Sequence, residues 1–67
     1  MKRTILHSLK AHAYGHIEKA KSNVEIYLSH PIGIGEHSDI LEAINEQIDI
    51  ISKYHDRLEV IDKYLKD

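Results

Sequence analysis

Apolar residues recur at intervals of three and four along both halves of the chain. In the first half they are Leu6, Leu9, Ala13, Ile17, Ala20, Val24 and Tyr27 or Leu28. In the second half they are Leu41, Ile44, Ile48, Ile51, Leu58, Ile61 and Leu65, with His55 at the same spacing. This period is typical of amphipathic α-helices and places each series along one helix face. The pattern therefore predicts two long helices.

The break between these helices lies in the segment 30–37, which holds the only proline and two of the three glycines. Pro31 disfavours helical backbone at the residue before it, and a proline beside glycines is a common loop signal. Ser38 or Asp39 can cap the second helix. Asp39 and Glu42 also have the spacing of a capping box. The segment therefore predicts a hinge followed by a capped helix.

The predicted architecture is all-α. We expect one domain over the whole chain, with helices over about 3–29 and 38–66 and a hinge over about 30–37. Two helices of this length joined by a short loop fold back on each other. The chain is therefore predicted to form a two-helix antiparallel hairpin.

The second helix carries more apolar surface than one neighbouring helix can cover. Beside the first stripe runs another, formed by Ile40, Ala43, Ile50, Tyr54, Ile61 and Tyr64. A 67-residue chain without cysteine has a small core and no disulfide to stabilise it. We therefore predict a homodimer that forms a four-helix bundle, parallel or antiparallel, with larger assemblies possible. The predicted dimer core consists of Leu41, Ile44, Ile48, Ile51, Tyr54, Leu58, Ile61 and Leu65.

The charge balance disfavours a dedicated nucleic-acid-binding protein. Nine basic residues against eleven acidic residues give a net charge of −2. Residues 1–23 hold five basic residues and one acidic residue, whereas residues 24–67 hold four basic and ten acidic residues. Complementarity between helices or protomers is the favoured interpretation of this asymmetry. The alternative is a basic arm that binds phosphate or an acidic partner.

Two of the six histidines, His12 and His16, stand four residues apart and share a helix face. A hairpin folded near its midpoint would bring His12 to the level of His55 and Asp56. Imidazoles and a carboxylate in such an arrangement can bind zinc. However, His16 and His55 lie on or beside the apolar stripes, where packed imidazoles are common. We therefore favour a packing or surface role and expect neither a metal nor another cofactor.

No arrangement typical of an enzyme is present. The serines lack a glycine elbow, and the segment from Gly33 to Gly35 lacks the lysine and hydroxyl residue of a phosphate-binding loop. A pocket between two thin helices would also be small. Gly15 and Ala11 form a small-residue patch on the first helix, suited either to a partner contact or to internal packing. The chain is therefore predicted to be non-enzymatic.

Neither a secretory signal nor a membrane span is expected from the sequence. The residues after Met1 are too polar for a signal-peptide core. No segment approaches the roughly 18 apolar residues that a membrane span requires. We therefore expect a soluble, intracellular protein.

Three motifs carry a family resemblance that covers about residues 20–65. These are the opening N-V-E-I-Y at 23–27, the hinge G-I-G-E-H at 33–37 and the stretch K-Y-H-D-R-L-E-V at 53–60. In them the sequence resembles a group of short, uncharacterised proteins encoded by tailed phages of marine cyanobacteria. The resemblance implies an accessory protein made in the cytoplasm of the infected cell, and it supplies no catalytic residue.

The predicted function is that of a homo-oligomeric interaction module that binds a host or phage protein. The expected exposed contacts are Lys19, Lys21, Gly33, Gly35, Glu36 and His37. One alternative is a minor virion or assembly component, which would place the protein in the virion. A weaker alternative is nucleic-acid binding through the basic first helix.

Overall fold

A computed structural model describes residues 2–29 and 39–65 of the chain. Within these ranges the protein consists of two helices, α1 (Lys2–Ser29) and α2 (Ile40–Tyr64), and contains no strand. The predicted all-α class is therefore confirmed. Helix α2 begins two residues later and ends two residues earlier than the sequence indicated, and the predicted hinge lies outside the described residues. Neither of the two described helices is long and apolar enough to cross a membrane.

The N-terminus of α2 differs from the predicted capping box. Asp39 occupies the N-cap position, and its carbonyl oxygen accepts a hydrogen bond from the backbone N–H of Ala43 at 2.9 Å. Its side chain makes no capping hydrogen bond. A capping side chain usually needs extended backbone at the N-cap, whereas Asp39 has φ −104° and ψ 21°. Glu42 nevertheless lies in the first turn, where its negative charge interacts favourably with the helix dipole.

The two helices run antiparallel along a thin rod. Near one end, Lys10 Nζ lies 2.6 Å from Asp62 Oδ1. Toward the other end, the Asn23 side-chain amide donates a hydrogen bond of 3.1 Å to Gln47 Oε1. Later residues of α1 thus meet earlier residues of α2. The Cα trace measures 51 × 15 × 12 Å, so the molecule is only two helices thick.

The core between the helices is small. Ala13 and Ala20 of α1 are 1% exposed, and their short side chains let α2 approach closely. Tyr54, Leu58 and Ile61 of α2 are the buried large side chains, and each keeps 8 or 9% of its surface exposed. Hydrophobic residues at the edges of this core add partial cover, among them Ile17 and Ile50.

The residues predicted to form a dimer core divide into two groups in the hairpin. Tyr54, Leu58 and Ile61 pack toward α1 of the same chain. The other five stay half-buried or exposed; they are Leu41, Ile44, Ile48, Ile51 and Leu65. The helix therefore uses part of its apolar surface inside the hairpin and leaves the rest available. The dimer contacts themselves stay a prediction.

Candidate functional site

One stripe of α2 presents apolar side chains to the outside of the hairpin. We call it the open face; it consists of Leu41, Ile44, Ile48 and Ile51. Their spacing of three, four and three residues keeps them on one side of the helix. Leu41 is 72% exposed and Ile48 47% exposed, while Ile44 and Ile51 are half-buried. Within the described residues, the open face thus combines two exposed side chains, Leu41 and Ile48, with two half-buried ones.

The described residues expose more large apolar side chains than they bury. Ten are exposed, against three that are buried. Besides Leu41 and Ile48, the exposed ones are Ile5, Leu9, Tyr14, Ile26, Leu28, Val60, Tyr64 and Leu65. Single exposed apolar residues are ordinary on protein surfaces, but a contiguous stripe marks an interaction surface. On α2 the two exposed members of the open face, Leu41 and Ile48, lie on the same side of the helix.

A second feature is a group of aromatic rings at the middle of the hairpin, which we call the imidazole cluster: His12, His16 and Tyr54. The two imidazole Nε2 atoms lie 3.1 Å apart. The His16 ring stacks on the Tyr54 ring with 4.4 Å between centroids and 6° between planes. The His12 ring meets Tyr54 edge-on at 5.8 Å. Ring packing across the helix pair therefore fixes both histidines.

Positive side chains surround the imidazole cluster. The Arg57 guanidinium lies 4.9 Å and the Lys53 ammonium 5.4 Å from the centre of the Tyr54 ring, within cation–π range. Partial burial lowers the pKa of His16, because it disfavours the charged imidazolium. The charges of His12 and Lys19, and then those of Lys53 and Arg57, lower it further. The His16 imidazole is therefore kept neutral near pH 7.

The four residues considered as zinc ligands do not come together. His55 lies 3.3 Å from Glu59 Oε1 on an exposed part of α2. No three side chains of the described residues form a group that could hold a metal ion by themselves. The predicted position on α2 opposite His12 was one residue away from the observed one. Tyr54, rather than its neighbour His55, faces the histidine pair. One helical residue is a rotation of 100°, so the next position points to a different side.

The contact of Tyr54 with both histidines was not predicted from the sequence. The signal for the pair itself was present in the four-residue spacing of His12 and His16. Tyr54 was assigned to an apolar stripe, and the spacing alone does not reveal which aromatic side chain that stripe presents to the histidines. Predicting this contact requires knowledge of the register between the two helices to within one residue.

Of the predicted partner contacts, the structure describes Lys19 and Lys21. Lys19 and Lys21 are exposed, and Lys21 Nζ lies 3.3 Å from Glu18 Oε1. Lys19 and His16 border an open groove of about 330 Å³ between the helices, next to Asn23 and Gln47. The remaining predicted contacts lie outside the described residues; they are Gly33, Gly35, Glu36 and His37.

Gly15 faces away from α2. A β-carbon added there would contact no atom within 4 Å, and both Gly15 and Ala11 are exposed. Internal packing, one of the two roles considered for this small-residue patch, is therefore wrong. The patch instead lines a shallow depression of about 320 Å³ on the outer surface of α1, beside the two histidines.

The described residues thus define a two-helix hairpin with an open apolar face and a polar aromatic cluster. The open face exposes Leu41 and Ile48, and within the imidazole cluster partial burial and neighbouring positive charges lower the pKa of His16. The chain matches no protein-family model, no curated protein and no solved structure.

Proposed function

We propose that the protein is a non-enzymatic interaction module that works as a homodimer, with two hairpins forming a four-helix bundle. The observation that carries this proposal is the open face. Leu41 is 72% exposed and Ile48 47% exposed, although both belong to the same apolar series as the buried Leu58 and Ile61. A second hairpin laid on the same stripe would cover them symmetrically, as isologous dimers do.

The energetics of a small chain support this arrangement. Complete burial of a leucine or isoleucine contributes about 1.5–3 kcal/mol relative to exposure. A chain of fewer than about 70 residues rarely obtains more than 3–5 kcal/mol from its own core. The residues that the structure describes bury three large side chains, and none of them completely. Covering the open face of each protomer would therefore add stabilisation comparable to that of the intrachain core.

Replacing Ile48 by glutamate tests the dimer. We expect the wild-type protein to sediment at micromolar concentration with twice the chain mass of 7.8 kDa. Ile48→Glu should sediment as the monomer, because a dimer would bury an unpaired carboxylate at its centre. Leu41→Glu should act in the same direction. Because Leu41 is 72% exposed, this second variant disturbs the intrachain core least.

Val60 supplies the matched control. It is a β-branched residue of α2 with 41% exposure, close to the 47% of Ile48, and it lies a third of a turn away from the open face. Val60→Glu should therefore remain dimeric. Helical circular dichroism of all three variants separates dissociation from unfolding. A wild-type protein that stays folded and monomeric, or a folded dimer of both open-face variants, would contradict the proposal.

We further propose that the dimer binds a host or phage protein in an infected cyanobacterium. The support is the resemblance of the motifs at 23–27, 33–37 and 53–60 to proteins of cyanobacterial phages. The exposed apolar residues outside the open face support a protein partner, since they remain uncovered in the hairpin. The hinge residues Glu36 and His37 are the proposed contacts.

Affinity capture from cyanobacterial lysate, with and without infection, tests this second step. We expect mass spectrometry to identify one enriched protein that is lost when Glu36 and His37 are both replaced by alanine. A matched variant with Glu59→Ala and His55→Ala, both at exposed positions of α2, should retain it. Enrichment of phage structural proteins alone would instead indicate a virion or assembly component. Recovery of nothing but the chain itself would contradict partner binding in this host.

A further inference from the structure

We infer that His12 and His16 form a two-imidazole binding site for a divalent transition-metal ion of the zinc and copper type. The inference is independent of the dimer, since both ligands belong to one helix of one chain. It goes beyond the sequence analysis, which favoured a packing or surface role for the histidines and considered zinc only with His55 or Asp56 as a further ligand.

The distance between the two nitrogen atoms fits a single shared ion. Zinc–imidazole bonds of about 2.0–2.1 Å place two nitrogen ligands about 2.9 Å apart at a 90° angle and about 3.3 Å apart at the tetrahedral angle. The observed separation of the Nε2 atoms is 3.1 Å, between these two values. An ion can therefore bind without a change of helix geometry. One turn of α1 provides the whole chelate.

The packing of the rings leaves both nitrogen atoms available. His16 stacks on Tyr54 through its ring face, whereas the lone pair of Nε2 lies in the ring plane. His12 is exposed and meets Tyr54 edge-on. Metal binding requires both imidazoles to carry their proton on Nδ1, so it replaces the hydrogen bond between the two Nε2 atoms. Tyr54 holds both rings, which reduces the ordering cost of binding.

The neighbouring positive charges and the preference of each ion for imidazole ligands together determine which ions can bind. Lys19, Lys53 and Arg57 act on His16, and their charge repels any cation. Mg²⁺ and Ca²⁺ prefer oxygen ligands and gain little from imidazole, so the site should reject them. Cu²⁺, Ni²⁺ and Zn²⁺ bind imidazole strongly, with Cu²⁺ the tightest of the series. The remaining coordination positions stay open to water or to a donor group from another molecule.

Titration of the full chain with Zn²⁺ tests the site. We expect nitrogen NMR of the imidazoles to show the Nε2 resonances of His12 and His16 shifting together, and Mg²⁺ to shift neither. Calorimetry should show that His12→Ala and His16→Gln each weaken Zn²⁺ binding at this pair by at least about tenfold, because each removes one of two ligands.

His55→Ala is the control, since His55 is exposed on α2 and pairs with Glu59. It should leave the Zn²⁺ shifts of His12 and His16 unchanged. His16 stacks on Tyr54, so its variant can alter the fold; His12 is exposed and meets Tyr54 only edge-on, so His12→Ala disturbs the core less. The inference is overturned if saturating Zn²⁺ shifts neither residue, or if His12→Ala binds Zn²⁺ as tightly as the wild type.

Discussion

At the residue scale, the ion pair between Lys10 and Asp62 joins the two helices near one end of the hairpin. Its N–O distance is 2.6 Å, and both side chains are partly exposed. Exposed ion pairs contribute little to stability at neutral pH. The hydrogen bond to Asp62 nevertheless raises the pKa of Lys10 above its ordinary 10.5. The contribution of this pair is therefore best measured where lysine titrates.

The raised pKa predicts a specific alkaline profile. Because the folded state holds the Lys10 proton more tightly than the unfolded state, the stabilisation is complete below pH 10.5 and disappears as pH rises through the folded pKa. Thermal unfolding midpoints of the wild type should therefore fall more steeply than those of Asp62→Asn between about pH 10 and 12.

The difference between the two pH profiles isolates the contribution of the ion pair. Asp56→Asn, on the same helix, should keep the wild-type profile. Parallel curves for the wild type and Asp62→Asn would show that the ion pair does not stabilise the fold.

At the scale of the helices, the hydrophobic pattern was enough to predict two helices and their approximate bounds. A period of three and four over 25 residues is unambiguous, and the hinge segment contains the strongest breakers of the chain. The exact ends were less predictable. Asp39 lies at the N-cap, but its side chain makes no capping hydrogen bond because its backbone is not extended.

The hydrophobic pattern did not predict the rotation of α2 about its own axis, which decides the side of α2 that packs on α1. Two apolar stripes share this helix, and Tyr54 belongs to one of them while Leu41 and Ile48 belong to the other. The structure turns the Tyr54 side toward α1, next to Ala13. Short alanine side chains on α1 leave space for the Tyr54 ring, and Leu58 of the other stripe joins it in the core. Hydrophobicity alone gives the two stripes similar weight.

The same rotation of α2 decides which residues of the candidate sites could be predicted from the sequence. The His12 and His16 pair follows directly from a four-residue spacing on one helix. Its partner Tyr54 and the positive neighbours Lys53 and Arg57 come from the other helix, and only the helix register selects them. The open face was predicted as part of a dimer core, but its separation from the intrachain core required the structure.

At the scale of the whole molecule, the rod is too thin to cover its own apolar surface. A cross-section of 15 × 12 Å contains two helices side by side, so every helix has an outer side. The described residues leave ten large apolar side chains exposed. If the proposed dimer covers the open face, folding and association become one equilibrium, and measured stability depends on protein concentration.

This coupling predicts how the thermal unfolding midpoint of the wild type changes with concentration. A tenfold increase should raise the midpoint by about 5 °C, since it adds about 1.4 kcal/mol per dimer of this size. Ile48→Glu should unfold at a lower temperature with no dependence on concentration. Val60→Glu should keep the wild-type dependence, because it lies away from the open face. A wild-type midpoint that stays constant over a hundredfold range would show that the hairpin folds alone, and the open face would then serve another partner.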